Sequence, residues 1–281
     1  MNRRSCYTEF MLLAVDTGGT KTLVSGFDRA GKPTHEFRFA TPRDPDEYLA
    51  ALSETIHDNF RGRVFDAIII AVPGVVRNNI AVWCDNLGWE NLDIAGHLKN
   101  VVNCPVWLEN DANLAGLAET RALKKIPANT LYATVSTGIG TGIIIDGQIS
   151  PALSASEGGH MLIEYDGIVS EWENFASGYA IKRDYKKFAR DIHDDKTWQE
   201  VADKISRGFL VLIPALQPNT IIIGGSIGTY FDQYAEHLDE ILTRRLPSHM
   251  ALPEIRQAAH PEEAVLYGCY YYGSDQLARQ G

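Results

Sequence analysis

Asp16 closes an apolar run, and glycine and hydroxyl residues follow it at once. Residues 12–27 read LLAVDTGGTKTLVSGF. From Thr22 the stretch is again rich in β-formers, so it reads as a tight β-hairpin turning at Gly18–Gly19. Those glycines can take φ > 0 and present backbone N–H groups to phosphate oxygens. A carboxylate at the end of a buried strand is costly unless it is paired or holds a cation, which makes Asp16 a candidate cation ligand. An ordinary hairpin with a solvated Asp at its mouth is the plainer alternative. A second turn of this kind is read at 137–141, within STGIGTG, between strands over 130–136 and 142–146. Residues 12–27 and 131–146 thus form a weak internal repeat: two Gly-rich hairpins, one per lobe, expected to face each other across a cleft. Asp111 is the third candidate. It follows a strand over 106–108 and opens a helix whose apolar stripe is Leu114, Leu117 and Ala118. The ordinary use of Asp there is as an N-cap.

The elements that must carry these residues alternate. A helix is expected over 44–60 with Tyr48, Leu49, Leu52 and Ile56 on one face. AIIIAV at 67–72 reads as a strand buried on both faces, bounded by Pro73 and Gly74. A loop over 86–89 and a short helix over 94–98 follow. Beyond the second hairpin, a helix over 171–189 is expected to bury Trp172, Phe175, Ala176 and Tyr179. Another over 199–216 carries Val201, Ile205, Phe209 and Leu212. A strand over 220–223 ends in Gly224–Gly225, a helix covers 231–242, and a last helix runs from Glu262 towards Ala278. Residues 1–9 read as a mobile lead-in. Strands alternating with helices indicate an α/β fold. Neither GxxxxGK[ST] nor GxGxxG occurs, so the common nucleotide loops are absent.

Composition narrows the class. The 281 residues are 45% hydrophobic and 22% charged, with formal net charge −10. That is globular, argues against a nucleic-acid partner, and suggests two domains or lobes. No apolar run approaches the ~20 residues that span a bilayer, and no secretory signal is read. The four cysteines (Cys6, Cys84, Cys104 and Cys269) form no CxxC pair, which suits a cytoplasmic chain with free thiols.

The ordered set DTGGTKT, VPG (72–74), ENDAN (109–113), STGIGTG, EGGH (157–160), ENFASG (173–178) and IIIGG (221–225) resembles the ROK family of sugar kinases, most of all its bacterial glucokinases. The resemblance implies the actin-like, ribonuclease-H-like two-lobe fold with an interlobe cleft. The lobes are expected at 10–112, completed by the C-terminal helix 262–281, and at 113–261. By resemblance Asn110 and Asp111 are the sugar-binding pair, with Asp111 the general base that takes the proton of the attacking hydroxyl. Glu157, His160 and Glu173 are further sugar ligands, suited to accept hydrogen bonds from hydroxyls. Glu171 competes with Glu173, which is preferred because it stands four residues before Ser177–Gly178. ATP is the implied donor: Gly18, Gly19, Thr20 and Lys21 against the β/γ-phosphates, Thr137, Gly138 and Gly140 from the other lobe, Gly224–Gly225 against the adenosine. Asp16 would hold Mg²⁺ through water. Many members carry a Cys-rich zinc segment; here residues 168–173 read IVSEWE, and no zinc site is expected. The implied activity is ATP-dependent phosphorylation of a hexose, glucose first, by a homodimer. Another hexose or N-acetylhexosamine as acceptor, polyphosphate as donor, and a non-catalytic sugar sensor are the alternatives.

Overall fold

The computed structural model describes residues 11–260 and 263–280. The expected lead-in over 1–9 and the expected helix start at Glu262 lie outside the described residues. The chain divides into two compact units: one runs to Leu114 and resumes at Val265, the other is Ala115–Ala264. Among the described residues no helix is long and apolar enough to cross a membrane.

The first unit contains β1 (Met11–Thr17), β2 (Lys21–Asp28), β3 (Pro33–Ala40), α1 (Pro45–Asn59), β4 (Ala67–Val72), β5 (Val75–Arg77), β6 (Ile80–Cys84), β7 (Trp89–Leu92), α2 (Ile94–Leu98), β8 (Val106–Asn110) and the start of α3 (Asp111–Arg121). Its main sheet has the order β3-β2-β1-β4-β8. β1 and β4 pair in parallel at its centre, and every residue of AIIIAV in β4 is buried, as a strand covered on both faces requires. On one face lies α1. Its apolar stripe Tyr48, Leu49, Leu52 and Ile56 is buried as the periodicity predicts, and Asp44 caps it by accepting from Asp46 and Glu47 N–H ahead of a proline in the first turn. The other face meets α9 (Ala264–Gln280), where Gly273 packs against Leu12 and Ile69 and the rings of Tyr267 and Tyr270 lie 5.6 Å from Phe27. Strands β5, β6 and β7 form a second, antiparallel sheet that sequence pattern does not reveal. Three to five residues are too few for a period-2 signal, and Trp89, expected in a loop, begins β7.

The second unit continues α3 and adds β9 (Asn129–Val135), β10 (Ile139–Ile145), β11 (Gln148–Ile149), β12 (Leu162–Tyr165), β13 (Ile168–Glu171), α4 (Trp172–Ala176), α5 (Gly178–Tyr185), α6 (Asp195–Leu216), β14 (Thr220–Gly224), α7 (Gly225–Gly228), α8 (Ala235–Arg245) and β15 (Glu254–Gln257). Its main sheet runs β11-β10-β9-β14-β15. Each sheet has two antiparallel pairings followed by two parallel ones. The repeat visible in the sequence as two hairpins is therefore a duplication of a whole five-stranded sheet, the ribonuclease-H-like order. Val201, Ile205, Phe209 and Leu212 of α6 pack with Leu131, Ala133, Ile221 and Ile223 of the sheet and Leu238 and Leu242 of α8.

Three expectations are corrected. The helix expected over 171–189 is two helices, because Gly178 N–H donates to Ser136 O at 2.6 Å and a Cβ on Gly178 would sit 2.7 Å from that oxygen. Ser177 is extended there, with ψ 164°, and its Oγ caps α5 through Ala180 N–H. Tyr179, expected to be buried, is 62% exposed as a result. Residues 231–233 form a separate 3-10 turn ahead of α8. The second Gly-rich turn is shorter than expected: β10 begins at Ile139, so Gly140 lies within the strand opposite Thr134.

Candidate active site

In the first unit the end of β8 and the start of α3 present Asn110 and Asp111. Asn110 is 7% exposed. Its Oδ1 accepts Asn113 N–H at 3.0 Å, the bond of an N-cap, and its Nδ2 donates to Gly74 O at 2.9 Å. Capping therefore falls to Asn110, and Asp111 stands one residue inside the helix, half-buried, with Oδ1 accepting Ala112 N–H at 2.7 Å. Asn110, expected as a sugar ligand, has both ends of its amide engaged within the unit. The VPG motif explains part of this. Gly74 has φ +150°, and a Cβ there would collide with Trp83 O, so only glycine brings its carbonyl to Asn110. Glu109 is buried and accepts from Asn110 N–H and Asn113 Nδ2, both at 2.9 Å; burial raises its pKa above the ordinary carboxylate range.

Along the open edge of β8, Asn79 replaces a missing strand. Its Nδ2 donates to Val106 O at 2.8 Å and its Oδ1 accepts Leu108 N–H at 2.7 Å. Asn78 and Asn79 have φ of 51° and 63°, a turn of the type that Asn favours in hairpins. The dipeptide Asn78–Asn79 is the sequence signal that would have located this brace.

At the end of β1, burial pushes the Asp16 carboxyl up to about 6, partly opposed by the Lys21 charge. The turn beyond it is held by Gly18 N–H to Lys21 O at 3.0 Å, by Thr41 Oγ1 to Gly18 O at 2.8 Å, and by Thr41 N–H to Thr20 O at 3.1 Å. Gly19, Thr20 and Lys21 are exposed. Neither Gly18 nor Gly19 takes positive φ, contrary to expectation. Gly18 is instead a matter of space, since a Cβ would stand 3.0 Å from Lys21 O.

In the second unit Glu157 precedes a single 3-10 turn, Gly158–His160. Gly158 N–H donates to Thr141 Oγ1 at 3.0 Å, and a Cβ on Gly159 would strike Ile139 O, so the glycine pair lets this turn lie on β10. His160 Nδ1 is 3.3 Å from Glu171 Oε2, a contact that orients the ring. Glu173 Oε2 accepts Ile139 N–H at 3.1 Å and would stand 2.6 Å from a Cβ on Gly138. Glu157 is raised in pKa by burial, opposed by His160 and reinforced by Glu173. Ligand atoms of His160, Glu171 and Glu173 all lie within 4.8 Å of one another. Glu157, His160 and Glu173 are thus one cluster, and Glu171 belongs to it by steering His160. Glu173, expected at the sugar, and Gly138, expected at the nucleotide, touch.

Beside this cluster is a cavity of about 700 Å³ lined by Ser136, Thr137, Gly178, Gly225 and Ser226. Gly225 has φ +77°, and a Cβ would lie 2.6 Å from Val135 O. Ser136 Oγ and Ser226 Oγ are 3.4 Å apart, so the β9–β10 and β14–α7 turns meet. Gly224 ends β14 against Tyr132 rather than lining the cavity.

A model of the ROK family matches residues 12–275. The chain belongs to the ROK family. It is 28% identical over 77% of its length to a fructokinase of Pediococcus pentosaceus, covering 80% of that protein. It is 27% identical over 94% of its length to an N-acetylmannosamine kinase of Yersinia pestis, covering 99% of it. The crystal structure of a ROK family glucokinase from Streptomyces griseus in complex with glucose and AMPPNP superposes with TM-score 0.79 over 96% of this chain and 100% of that one, at 23% identity, a likeness of fold. Xylose repressors also match. The two kinases are covered over 80% and 99% of their own length and the xylose repressors over 60% and 50%, which supports a ROK family sugar kinase. The ROK motifs do not include Tyr179, Lys182, Phe188, Arg190 and Tyr230, which share the cavity with Thr137 and Gly225. Their only sequence signal is the basic run after Ser177–Gly178.

Proposed function

We propose that this protein phosphorylates a hexose with ATP, glucose to glucose 6-phosphate in the first instance, with Asp111 as general base. The observation that carries the reading is the division of labour at the end of β8. Asn110 caps α3, so Asp111 is not needed there as a cap and its carboxylate is assigned to the chemistry. An ionised carboxylate in hydrogen-bond range accepts the acceptor hydroxyl's proton as its oxygen attacks phosphorus. Glu157, His160 and Glu173 fit sugar hydroxyls as a cluster of acceptors, with Glu171 holding the imidazole. Asn110 contributes by fixing the helix start, and its second amide N–H is left for a hydroxyl.

The donor site fits ATP. The 700 Å³ cavity presents Ser136 and Thr137 hydroxyls and the Gly225 turn, where any side chain would fill the space a ligand needs. The site also fits Mg²⁺: Asp16 is a half-buried carboxylate whose desolvation is offset only in part by Lys21, a group that a hard cation bound through water would satisfy. A Mg²⁺ ion held by Asp16 through water would supply charge neutralisation to the donor's phosphates. In the first unit, the exposed turn of Gly19, Thr20 and Lys21 beyond Gly18 is assigned to the donor's β/γ-phosphates.

A coupled ADP-release assay over glucose, fructose, mannose and N-acetylhexosamines tests the reading. Turnover of at least one hexose with ATP is expected, glucose giving the highest kcat/KM. No turnover of any, with sugar binding retained, overturns the kinase in favour of a sensor.

A further inference from the structure

The second unit holds another cavity, of about 740 Å³, and none of Glu157, His160 and Glu173 lines it. Small-molecule sites span about 300–1,000 Å³. The β12–β13 hairpin contributes Tyr165, Ile168 and Ser170, α4 contributes Asn174 and Phe175, and α5 and α6 contribute Tyr185 and Lys204. Ile168 is 67% exposed, so apolar surface remains open to solvent on the hairpin side of the cavity.

Lys204 is the unusual member. Only 10% of its side chain is exposed, and Lys is almost never buried to that degree unless it is paired. One of its three N–H groups goes to Asp184 Oδ2 at 2.6 Å. Among the described residues the other two find no acceptor. The Tyr185 and Tyr165 ring centres lie 5.3 and 5.8 Å from Nζ. Asp184 is engaged a second time, by Arg183 Nε at 2.8 Å, and the terminal N–H groups of Arg183 find no acceptor among the described residues either. Glu200 and Asp166 supply acceptors to the same cavity. Glu200 Oε2 already takes the Tyr185 O–H at 3.0 Å, which leaves it a second oxygen.

This lining selects among ligand classes. An anionic ligand would set its charge against Asp166, Asp184 and Glu200, and a cationic one would meet the buried ammonium. A wholly apolar ligand would leave the Lys204 N–H groups unsatisfied, which is costly. A neutral ring carrying hydroxyls meets every requirement. Each hydroxyl both accepts and donates, so it can take N–H from Lys204 and Arg183 and give O–H to Glu200 and Asp166, while its C–H face lies against Ile168 and the tyrosines. We propose that this cavity is a second saccharide site, for a neutral sugar of one or two rings, separate from the proposed hexose cluster. It does not depend on the kinase reading, because it needs neither a phosphoryl donor nor a general base.

The test titrates glucose, maltose, cellobiose and sucrose calorimetrically, without nucleotide, into the full chain and into Glu173→Gln, Ser170→Tyr and Lys204→Met. At least one of these sugars is expected to bind at a site that survives Glu173→Gln. That binding should disappear in Ser170→Tyr, whose ring fills the cavity, and weaken about tenfold or more in Lys204→Met, which loses a charged donor. Leu162, Ile168 and Val169 of the same hairpin are 73%, 67% and 65% exposed, so Ser170→Tyr should melt with the parent, and it decides the matter if Lys204→Met fails to fold. Glucose 6-phosphate should bind this site more weakly than the neutral sugar. The proposal is overturned if none of the four sugars binds, if binding persists in Ser170→Tyr, if it is lost in Glu173→Gln and so belongs to the hexose cluster, or if glucose 6-phosphate binds more tightly. The expected binding pattern in a chain that turns over no hexose refutes the kinase reading and supports the second site.

Discussion

Asp111→Asn separates a catalytic role from a structural one because the local geometry keeps the structural cost small. The Asn side chain retains an oxygen where Oδ1 accepts Ala112 N–H at 2.7 Å, and the cap bond from Asn113 N–H to Asn110 Oδ1 does not involve residue 111. What is lost to folding is the favourable charge in the first turn of α3, worth about 0.3–1 kcal/mol. In a chain of this size that lowers Tm by no more than about 4 °C. What is lost to chemistry is the proton acceptor, usually worth about 10²–10⁴ in rate, which is roughly 2.7–5.4 kcal/mol of barrier at 1.36 kcal/mol per decade. The two effects do not overlap in size. Steady-state kinetics with saturating hexose and ATP, a melting curve, and hexose binding without nucleotide form the assay. A kcat within a few-fold of the parent, or a loss of kcat matched by a large fall in Tm, removes Asp111 from the mechanism.

Further outcomes are expected at Asp16, at Gly138 and at the His160 cluster. Asp16 titrates near 6 because burial disfavours its charge, so kcat/KM for ATP should fall as pH drops through about 6, and Asp16→Asn should abolish donor use while glucose binding, followed by tryptophan fluorescence, persists. The same raised pKa fixes the sign for stability: ionising Asp16 in the folded chain is the unfavourable step, so without metal Asp16→Asn should gain stability over the parent above pH 6 and match it below pH 4, which melts across pH will show. Gly138→Ala places a Cβ 2.6 Å from Glu173 Oε2 and should raise the KM for sugar several-fold at nearly unchanged Tm, since the displaced atom is a side-chain end; an unchanged KM would detach Glu173 from the sugar. Elemental analysis should find no stoichiometric zinc, because His160, Glu171 and Glu173 offer three ligands and no thiolate where structural zinc takes four; about one zinc per chain would give this cluster a different purpose.

What could be read from the sequence follows the strength of local signals. The α1 stripe and the long helix α6 were legible because each repeats a period over enough residues to exceed noise, and β4 because six successive apolar residues mark a strand covered on both faces. The two Gly-rich hairpins were legible as a repeat, but the full sheet duplication was not, since β15 is four residues and mostly exposed and β11 only two. The break at Ser177 was illegible for another reason. Its cause is a carbonyl, Ser136 O, that approaches Gly178 from a distant part of the chain, and nothing in the local sequence announces a tertiary contact.

The same distinction applies to the site residues. Sequence order identified Asp111, Glu173 and Gly138 as separate candidates for base, sugar and phosphate. It could not tell that the cap belongs to Asn110, nor that Glu173 is held by the backbone of the very turn that carries Gly138. That contact has a consequence for the mechanism. Ile139 N–H holds the Glu173 carboxylate at 3.1 Å, and on the proposed reading a donor phosphate at the β9–β10 turn would bear on that N–H. Occupation of the proposed donor side and the aim of the proposed sugar carboxylate would then be linked through one hydrogen bond, and any such linkage is reciprocal in binding free energy. A nucleotide analogue should therefore change hexose affinity in the parent, and Glu173→Gln, which keeps an acceptor but loses the charge, should reduce that coupling along with the affinity. Calorimetric titration of hexose with and without the analogue measures both. Equal coupling in parent and variant would mean that the Glu173–Ile139 bond transmits nothing and that the two ligands communicate, if they do, by another route.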